Sequence, residues 1–393
     1  MADSLPDDVV MDILSRIKDV PSLFRCAAVC KGWRRLVARM EGVGVFAGFF
    51  TQLQPRGQHT TPWFIPSPGP VPLALGRRRR RLTSLVPDIR VAGFLEYAVP
   101  LVSRHGLLLL RINTNLGGGI LAVCDPLAGT LRVLPSLLGY NSGEDMMGYT
   151  LLTNKDGGSL DDHQHQRSFF FKVVIVTILK NHGYYTEYSL QTLSSADETG
   201  WSRCSGDLLK AGNHNIRVAF MQREAVVCGG AAHWLFFGVP AAIYTLDLSI
   251  ETGHVSITEL NGIDNLWVFG VLCVLGLRDK PYLTADTEGK LMLLCLEQDG
   301  HRVQIWTSCD NKMFFQSSIL KLKQRVYKCL GEKSGTVLII DKLRVVYVAD
   351  VKTGVMQEVT QWPYNISLCR QNTVLVEVDW PAFFALRLGV AAT

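Results

Sequence analysis

The sequence lacks the features of exported and membrane-spanning proteins. Its first residues, MADSLPDD, are acidic and have neither the basic start nor the apolar core of a signal peptide. The longest apolar runs, 169–179 and 266–277, are shorter than the roughly 18 residues that a membrane-spanning helix needs. The 10 cysteines form no CxxC pair, which favours reduced thiols over a disulfide scaffold. We therefore expect a protein of the cytoplasm, the nucleus or both, without a membrane partner.

Motifs of catalysis are also missing. The sequence has no GxSxG, no HExxH and no Walker spacing, and GVGVFAG at 42–48 is neither a GxGxxG motif nor the start of a helix. His163, His165 and His182 lie in polar segments without a second cluster of residues at metal-ligand spacing. We therefore predict a protein that is not an enzyme, with no catalytic residues, no metal and no cofactor.

A distributed excess of positive charge is absent as well. The net charge is +5, and five of the 40 Lys and Arg form the run Arg77 to Arg81; the other 35 equal the Asp and Glu in number. Three interpretations of the run stay open: a nuclear-localisation signal, a nucleic-acid contact and a solvated loop. A nucleic-acid-associated nuclear protein is thus the alternative function. The lack of aromatic residues inside the run disfavours nucleic acid as a partner.

The strongest helical pattern lies in residues 4–40. Val10, Ile13, Leu14 and Ile17 recur at the spacing of one helix face. Pro21 and the Gly at 32 divide the rest into two further short helices. Segments of about 40 residues rarely bury enough apolar surface to fold alone. These helices therefore need a partner or a neighbouring domain to pack against.

This segment resembles an F-box. The resemblance rests on the opening Leu5-Pro6, the pair Ile13-Leu14 and the sequence Val-Cys-Lys-x-Trp at 29–33. It implies a domain at 1–42 that binds the adaptor Skp1 and, through it, a cullin-RING ubiquitin ligase. The residues that it places in the adaptor contact are Leu5, Pro6, Val9, Ile13, Leu23, Val29, Cys30, Trp33 and Leu36.

The pattern of the helical segment allows two other interpretations. One is a helical hairpin packed on the following domain. The other is a helix-turn-helix whose third helix offers Lys31, Arg34, Arg35 and Arg39 to phosphates. That helix carries no Asn or Gln to read bases, which argues against it. Trp33 itself could point inward into the module or outward to a partner.

The remainder of the chain has the pattern of an all-β protein. Residues 43–90 predict a strand followed by a Pro- and Arg-rich linker or loop. Residues 91–393 contain short runs rich in β-branched and aromatic residues, separated by Gly, Asn, Asp and Pro. The predicted fold class is α+β multidomain: a three-helix F-box followed by an all-β domain that resembles a propeller.

A weak repeat supports the propeller. Segments around Asp125, Asp247 and Asp350 each combine a strand, an Asp, a turn with Gly and a second strand, and weaker copies lie near Leu190 and Trp306. Five copies plus the chain ends predict about six blades, with 43–53 able to join the domain and close the ring. A pair of β-sandwiches is the alternative.

The all-β part also resembles the F-box-associated and kelch-like regions that follow the F-box in many plant proteins. Together, the two resemblances imply a substrate-recognition subunit of a Skp1-cullin-F-box ubiquitin ligase. Its partners would be a Skp1-like adaptor, the cullin-RING ligase and a protein substrate. The sequence does not identify the substrate-binding residues, and we expect them in loops at one rim of the propeller.

Overall fold

The computed structural model covers the whole chain, and most of it can be described in detail. The described residues are 5–17, 20–39, 44–52, 61–69, 75–87, 93–113, 119–137, 147–156, 170–181, 184–196, 200–207, 218–238, 242–261, 279–286, 288–309, 313–362 and 373–380.

Three short helices come first: α1 (Asp7–Ser15), α2 (Val20–Val29) and α3 (Lys31–Arg39). Helix α1 follows Pro6 and has two acidic residues in its first turn. The Cys30 thiol accepts a hydrogen bond from the Trp33 backbone N–H at 3.4 Å. Cys30 thus marks the boundary at which α2 ends and α3 begins.

The described residues after Arg39 include 25 strands, the short helix α4 (Leu82–Leu85) and a 3-10 helix at Asn154–Asp156. In chain order the strands are β1 (Gly44–Gln52), β2 (Pro62–Pro66), β3 (Arg80–Arg81), β4 (Ala98–Arg104), β5 (Leu107–Asn113), β6 (Gly119–Asp125), β7 (Thr130–Val133), β8 (Met147–Thr153), β9 (Phe171–Asn181), β10 (Tyr184–Ser194), β11 (Ser202–Asp207), β12 (Val218–Phe220), β13 (Val226–Cys228), β14 (Ala231–Gly238), β15 (Ala242–Ser249), β16 (Val255–Glu259), β17 (Tyr282–Ala285), β18 (Leu291–Leu296), β19 (Arg302–Ser308), β20 (Phe314–Lys321), β21 (Val326–Lys333), β22 (Thr336–Asp341), β23 (Val346–Asp350), β24 (Met356–Glu358) and β25 (Thr373–Asp379).

These strands form six antiparallel sheets, the blades of a propeller. Blade 1 has the order β25-β1-β2-β3, and blades 2 to 6 are β4 to β7, β8 to β11, β12 to β16, β17 to β20 and β21 to β24. The inner strands of neighbouring blades contact one another, with β4 against β8, β13 against β17, β17 against β21, and β25 against both β4 and β21. Blades 3 and 4 are joined by a bridge between Tyr149 and Glu224. Strand β25 therefore closes the ring, and the predicted fold class, with about six blades, is confirmed.

Blade 1 differs from the predicted linker. Strand β1 corresponds to the predicted strand, but β2 and β3, drawn from the Pro- and Arg-rich segment, continue the same sheet. Pro62 is the first residue of β2 and Pro66 is the last. Strand β3 pairs only with Trp63 and Phe64 between them. Strand β3 pairs with neither proline and so requires no N–H from them. Both prolines are therefore tolerated in β2, although β2 has a neighbouring strand on each side. The domain bounds themselves stay a prediction.

The repeat found in the sequence corresponds to the third strand of each of blades 2 to 6. At two copies, Asp125 and Asp350 end that strand and accept hydrogen bonds from the N–H groups of the following turn. In blade 4 the assignment was wrong by two residues, because Ser249, and not Asp247, occupies this turn position. Asp247 instead accepts hydrogen bonds from Thr258 and His233 across three strands, at 2.8 and 2.7 Å.

The apolar core consists of six clusters, each between two adjacent blades. The cluster between blades 1 and 2 also contains Val10, Leu14, Leu23 and Val37 of the helices. The helical segment and the propeller therefore share one apolar cluster. Among the described residues, no helix has the length and apolar composition that a membrane crossing requires.

Candidate functional site

Helix α1 has two apolar faces. Val10 and Leu14 are buried, at 3% and 0% exposure, whereas Leu5, Val9 and Ile13 are 55%, 41% and 42% exposed. Val10 and Leu14 are spaced by four residues, as are Val9 and Ile13, so each pair lies along one side of the helix, and Leu5 lies just before the helix begins. Ile13 therefore does not share the buried stripe with Val10 and Leu14, although the sequence pattern grouped the three. We name Leu5, Val9 and Ile13, together with Val29, the apolar stripe.

The other predicted adaptor residues divide by burial. Pro6 and Cys30 are exposed, and Val29 at the end of α2 is 66% exposed. Leu23 and Leu36 are buried in the cluster shared with the propeller, and Trp33 packs partly buried against it. The structure thus gives Leu23 and Leu36 a role in the module's core, while adaptor contact by any of the nine residues stays a prediction.

Sequence reasoning left one exposed apolar residue out of the site. Phe24 in α2 is 42% exposed, while its neighbours in the helix pattern, Leu23 and Ala27, are buried. The signal was present, because Leu23 and Ala27 define one helix face and Phe24 lies about 100° away from it. Phe24 is therefore a further exposed apolar side chain of the helical module.

A second group of residues lies at the C-terminal ends of the inner strands, where all six blades contribute. We name this group the channel cluster. Its charged members are Arg104 of blade 2, Asp156 of blade 3, Glu224 of blade 4, Glu332 and Lys333 of blade 6, and Glu377 of blade 1. Blade 5 contributes the hydroxyl of Thr284, which bonds Glu332.

Two ion pairs hold the channel cluster together. The Arg104 guanidinium donates from Nε to both Asp156 oxygens, at 2.9 and 3.1 Å. Lys333 Nζ donates to Glu224 and to the carbonyl of Ser103, both at 2.9 Å. Blade 6 borders neither blade 4 nor blade 2. The Lys333 side chain therefore reaches across the central channel and joins blades that are not neighbours.

The pKa values of two carboxylates in this cluster, Glu377 and Glu332, are shifted in opposite directions. Burial alone would raise the pKa of Glu377, but the charges of Lys333 and Arg104 and the hydrogen bond from Ser334 outweigh it and hold this pKa below its ordinary value. Burial dominates at Glu332 and raises its pKa to about 7. Glu332 still accepts bonds from Thr284 and from the Gly335 N–H, the latter at 2.6 Å. It is therefore the member of the cluster that titrates near neutral pH.

The chemistry of the channel cluster is that of an ion-pair and hydrogen-bond network. Each charged side chain bonds a group on another blade, and Asp156 and Glu332 also bond their own turns, at Thr153 and Gly335. Within the described part of the chain, no three His, Cys, Asp or Glu residues are placed to hold a metal ion. His163, His165 and His182 lie outside the described residues.

Comparison with protein families identifies the helical segment. Residues 2–40 match the F-box-like family. A comparison with curated proteins gave no match. The chain therefore carries an F-box-like domain at its N-terminus, followed by a six-bladed β-propeller.

Several solved structures resemble the chain at low sequence identity. TolB from Acinetobacter baumannii is 8% identical, with 86% of this chain and 67% of TolB covered and a TM-score of 0.44. A mutant of AofleA from Arthrobotrys oligospora is 10% identical, with 86% and 91% covered and a TM-score of 0.41. Trypanosoma rangeli sialidase with the inhibitor DANA is 12% identical, with 70% and 49% covered and a TM-score of 0.39.

Proposed function

We propose that this protein is the substrate-recognition subunit of a Skp1-cullin-F-box ubiquitin ligase. The F-box-like domain binds a Skp1-like adaptor, and the propeller holds a protein substrate for ubiquitin-dependent degradation. The chain itself is not catalytic, because its contribution is to bring the substrate close to the ubiquitin-loaded enzyme. It acts in the cytoplasm, the nucleus or both. We also propose that the propeller is of the kelch-like kind that follows the F-box in many plant proteins.

One observation carries the proposal. The module that matches the F-box-like family keeps Leu5, Val9, Ile13 and Val29 exposed, although it already shares a buried cluster with the propeller. If packing on the propeller were the only task of the helices, a second apolar face on α1 would serve no purpose. An apolar surface of this kind is typical of a protein interface.

The first test replaces Ile13 by Asp. We expect the purified variant to bind a Skp1-type adaptor roughly 30-fold more weakly than the wild type, because a carboxylate would have to be desolvated against an apolar surface. Ile13 is 42% exposed, so we expect the thermal unfolding temperature to change little. Isothermal titration calorimetry with the purified adaptor measures the affinity.

The matched control is Leu343→Asp, which introduces the same charge at an apolar side chain that is 80% exposed on the propeller. This variant should bind the adaptor as tightly as the wild type. Equal adaptor affinities for Ile13→Asp and Leu343→Asp would contradict the proposal, as would a wild type that does not bind. Leu23 and Leu36 are unsuitable for this test because they are buried and their replacement would disturb the fold.

A further inference from the structure

A cleft of about 450 Å³ opens between blade 6 and blade 1. Residues 66–69, where β2 ends, form one wall, and residues 359–361, which follow β24, form the other. Arg77, the first residue of the arginine run, completes the lining. None of the described residues that line the cleft is Asp or Glu.

Backbone hydrogen bonds fix both walls. On the blade 1 side, the Ser67 N–H donates to the Ala47 carbonyl at 2.9 Å, and the Ser67 hydroxyl accepts from the Gly69 N–H at 3.0 Å. On the blade 6 side, the Val359 N–H donates to Val346 at 2.9 Å and the Trp362 N–H donates to Val359 at 3.0 Å. The cleft is therefore a feature of the folded blades and is formed before any ligand binds.

The arginine run is built into blade 1 beside this cleft. The guanidinium groups of Arg79 and Arg81 lie 5.5 and 5.2 Å from the ring centre of Trp63, and Arg80 donates to the Ser84 carbonyl at 3.0 Å. Arg77 and Arg78 are exposed. A guanidinium that stacks on an aromatic ring can still donate from its N–H edge. The run thus presents several preorganised donors at one edge of the propeller.

We propose that the cleft and the run from Arg77 to Arg81 bind an acidic peptide segment of a partner protein. The charge of the surface selects carboxylates, which pair with guanidinium groups in a bidentate manner. The hydroxyls of Ser67 and Thr360 and the Gln361 amide, which line the cleft, suit the backbone of an extended peptide. The volume is that of a small-ligand pocket and admits a few residues, not a folded domain.

The arrangement also weakens two other uses of the run. A nuclear-localisation signal is read as an extended free segment, whereas Arg80 and Arg81 are paired in a sheet with Phe64 and Trp63. Single-stranded nucleic acid binds through stacking on exposed aromatic rings, whereas the Trp63 ring already carries Arg79 and Arg81. This inference rests on the proposed function, because the acidic segment would belong to the protein that the propeller captures.

Direct binding of defined probes tests the inference. The full-length chain is titrated into a fluorescein-labelled peptide of alternating Glu and Gly, into its Gln-Gly counterpart and into an oligothymidine of equal negative charge. Fluorescence anisotropy measures each affinity. We expect saturable binding of the acidic peptide, and about tenfold weaker binding for Arg77→Ser because a charge-assisted pair is lost. The Gln-Gly peptide should not bind.

Arg325→Ser is the matched control, because Arg325 is also exposed but lies in the connection before β21 of blade 6 and does not line the cleft. Equal losses for the two variants would indicate general charge attraction and overturn the proposal, as would tighter, Arg77-dependent binding of oligothymidine or no binding of the acidic peptide. The measurements of peptide and oligothymidine binding do not involve the adaptor. Arg77→Ser should keep adaptor binding and Ile13→Asp should keep peptide binding, so failure of one proposal is distinguishable from failure of the other.

Discussion

Replacing Lys333 by Met is expected to lower the free energy of unfolding by about 3 to 5 kcal/mol, the cost of removing one partner from a buried ion pair. Lys333 and Glu224 are 15% and 16% exposed and lie 2.9 Å apart. Burial alone would lower the pKa of Lys333, but the charges of Glu224 and Glu377 outweigh it and raise this pKa. In the variant, these two carboxylates stay inside the ring without the cation that both of them face.

Equilibrium unfolding in urea measures the effect, and Glu224→Gln completes a double-mutant cycle. The double variant should recover part of the loss, because it no longer buries an unpaired Glu224 carboxylate. Lys290→Met is the control: the Lys290–Glu288 pair is also short, at 2.8 Å, but its side chains are 55% and 70% exposed. Its removal should change stability little. A Lys333→Met variant as stable as Lys290→Met would show that the pair across the channel does not hold the blades together.

The channel cluster could not have been found from the sequence. Its charged members come from five segments between Arg104 and Glu377, and each appears there as an ordinary charged residue near the end of a strand. Their proximity follows from ring closure, which places equivalent ends of six inner strands around one axis. The number of blades, in contrast, could be predicted because its signal in the sequence is local. Each blade repeats a local pattern of strand, turn and strand that can be read within about 20 residues.

The helical module shows a similar limit. Periodicity predicted an amphipathic first helix, but α1 is apolar on two sides, with Val10 and Leu14 on one and Val9 and Ile13 on the other. A pattern of apolar residues cannot say which side faces the rest of the chain. The structure decides this by placing Val10 and Leu14 in the cluster with blades 1 and 2. The division between core and candidate interface is therefore a result of tertiary packing.

The same lesson applies to blade 4, where composition predicted the turn and the register was off by two residues. Asp247 and Ser249 point to the same face of a strand, and both are common turn residues. Asp247 instead accepts a hydrogen bond from the imidazole of His233 on the neighbouring strand. Cross-strand pairing, which a linear sequence does not display, separates the two roles.

Glu332→Gln is expected to remove a pH dependence of stability of about 3 kcal/mol, which corresponds to the rise in the pKa of Glu332 from 4.5 to about 7. Burial raises this pKa, so the protonated form is favoured in the folded protein. Its contribution to stability is complete below about pH 4.5 and is lost as the pH rises through about 7. Gln does not ionise, and its amide can replace the carboxylic acid towards Thr284 and Gly335.

Urea unfolding of wild type and Glu332→Gln at a series of pH values from acid to mildly alkaline measures the difference. Because both proteins contain every other titrating group, including His233, whose pKa is raised to about 9 despite burial by its bond to Asp247, the difference isolates Glu332. The variant should gain stability relative to the wild type as the pH rises. A difference that stays constant across this range would mean that Glu332 has the same pKa in the folded and unfolded protein and is ionised at neutral pH. In that case the inner end of blade 6 would hold a full negative charge beside Lys333, and the ion-pair network would need Lys333 to balance three carboxylates and not two.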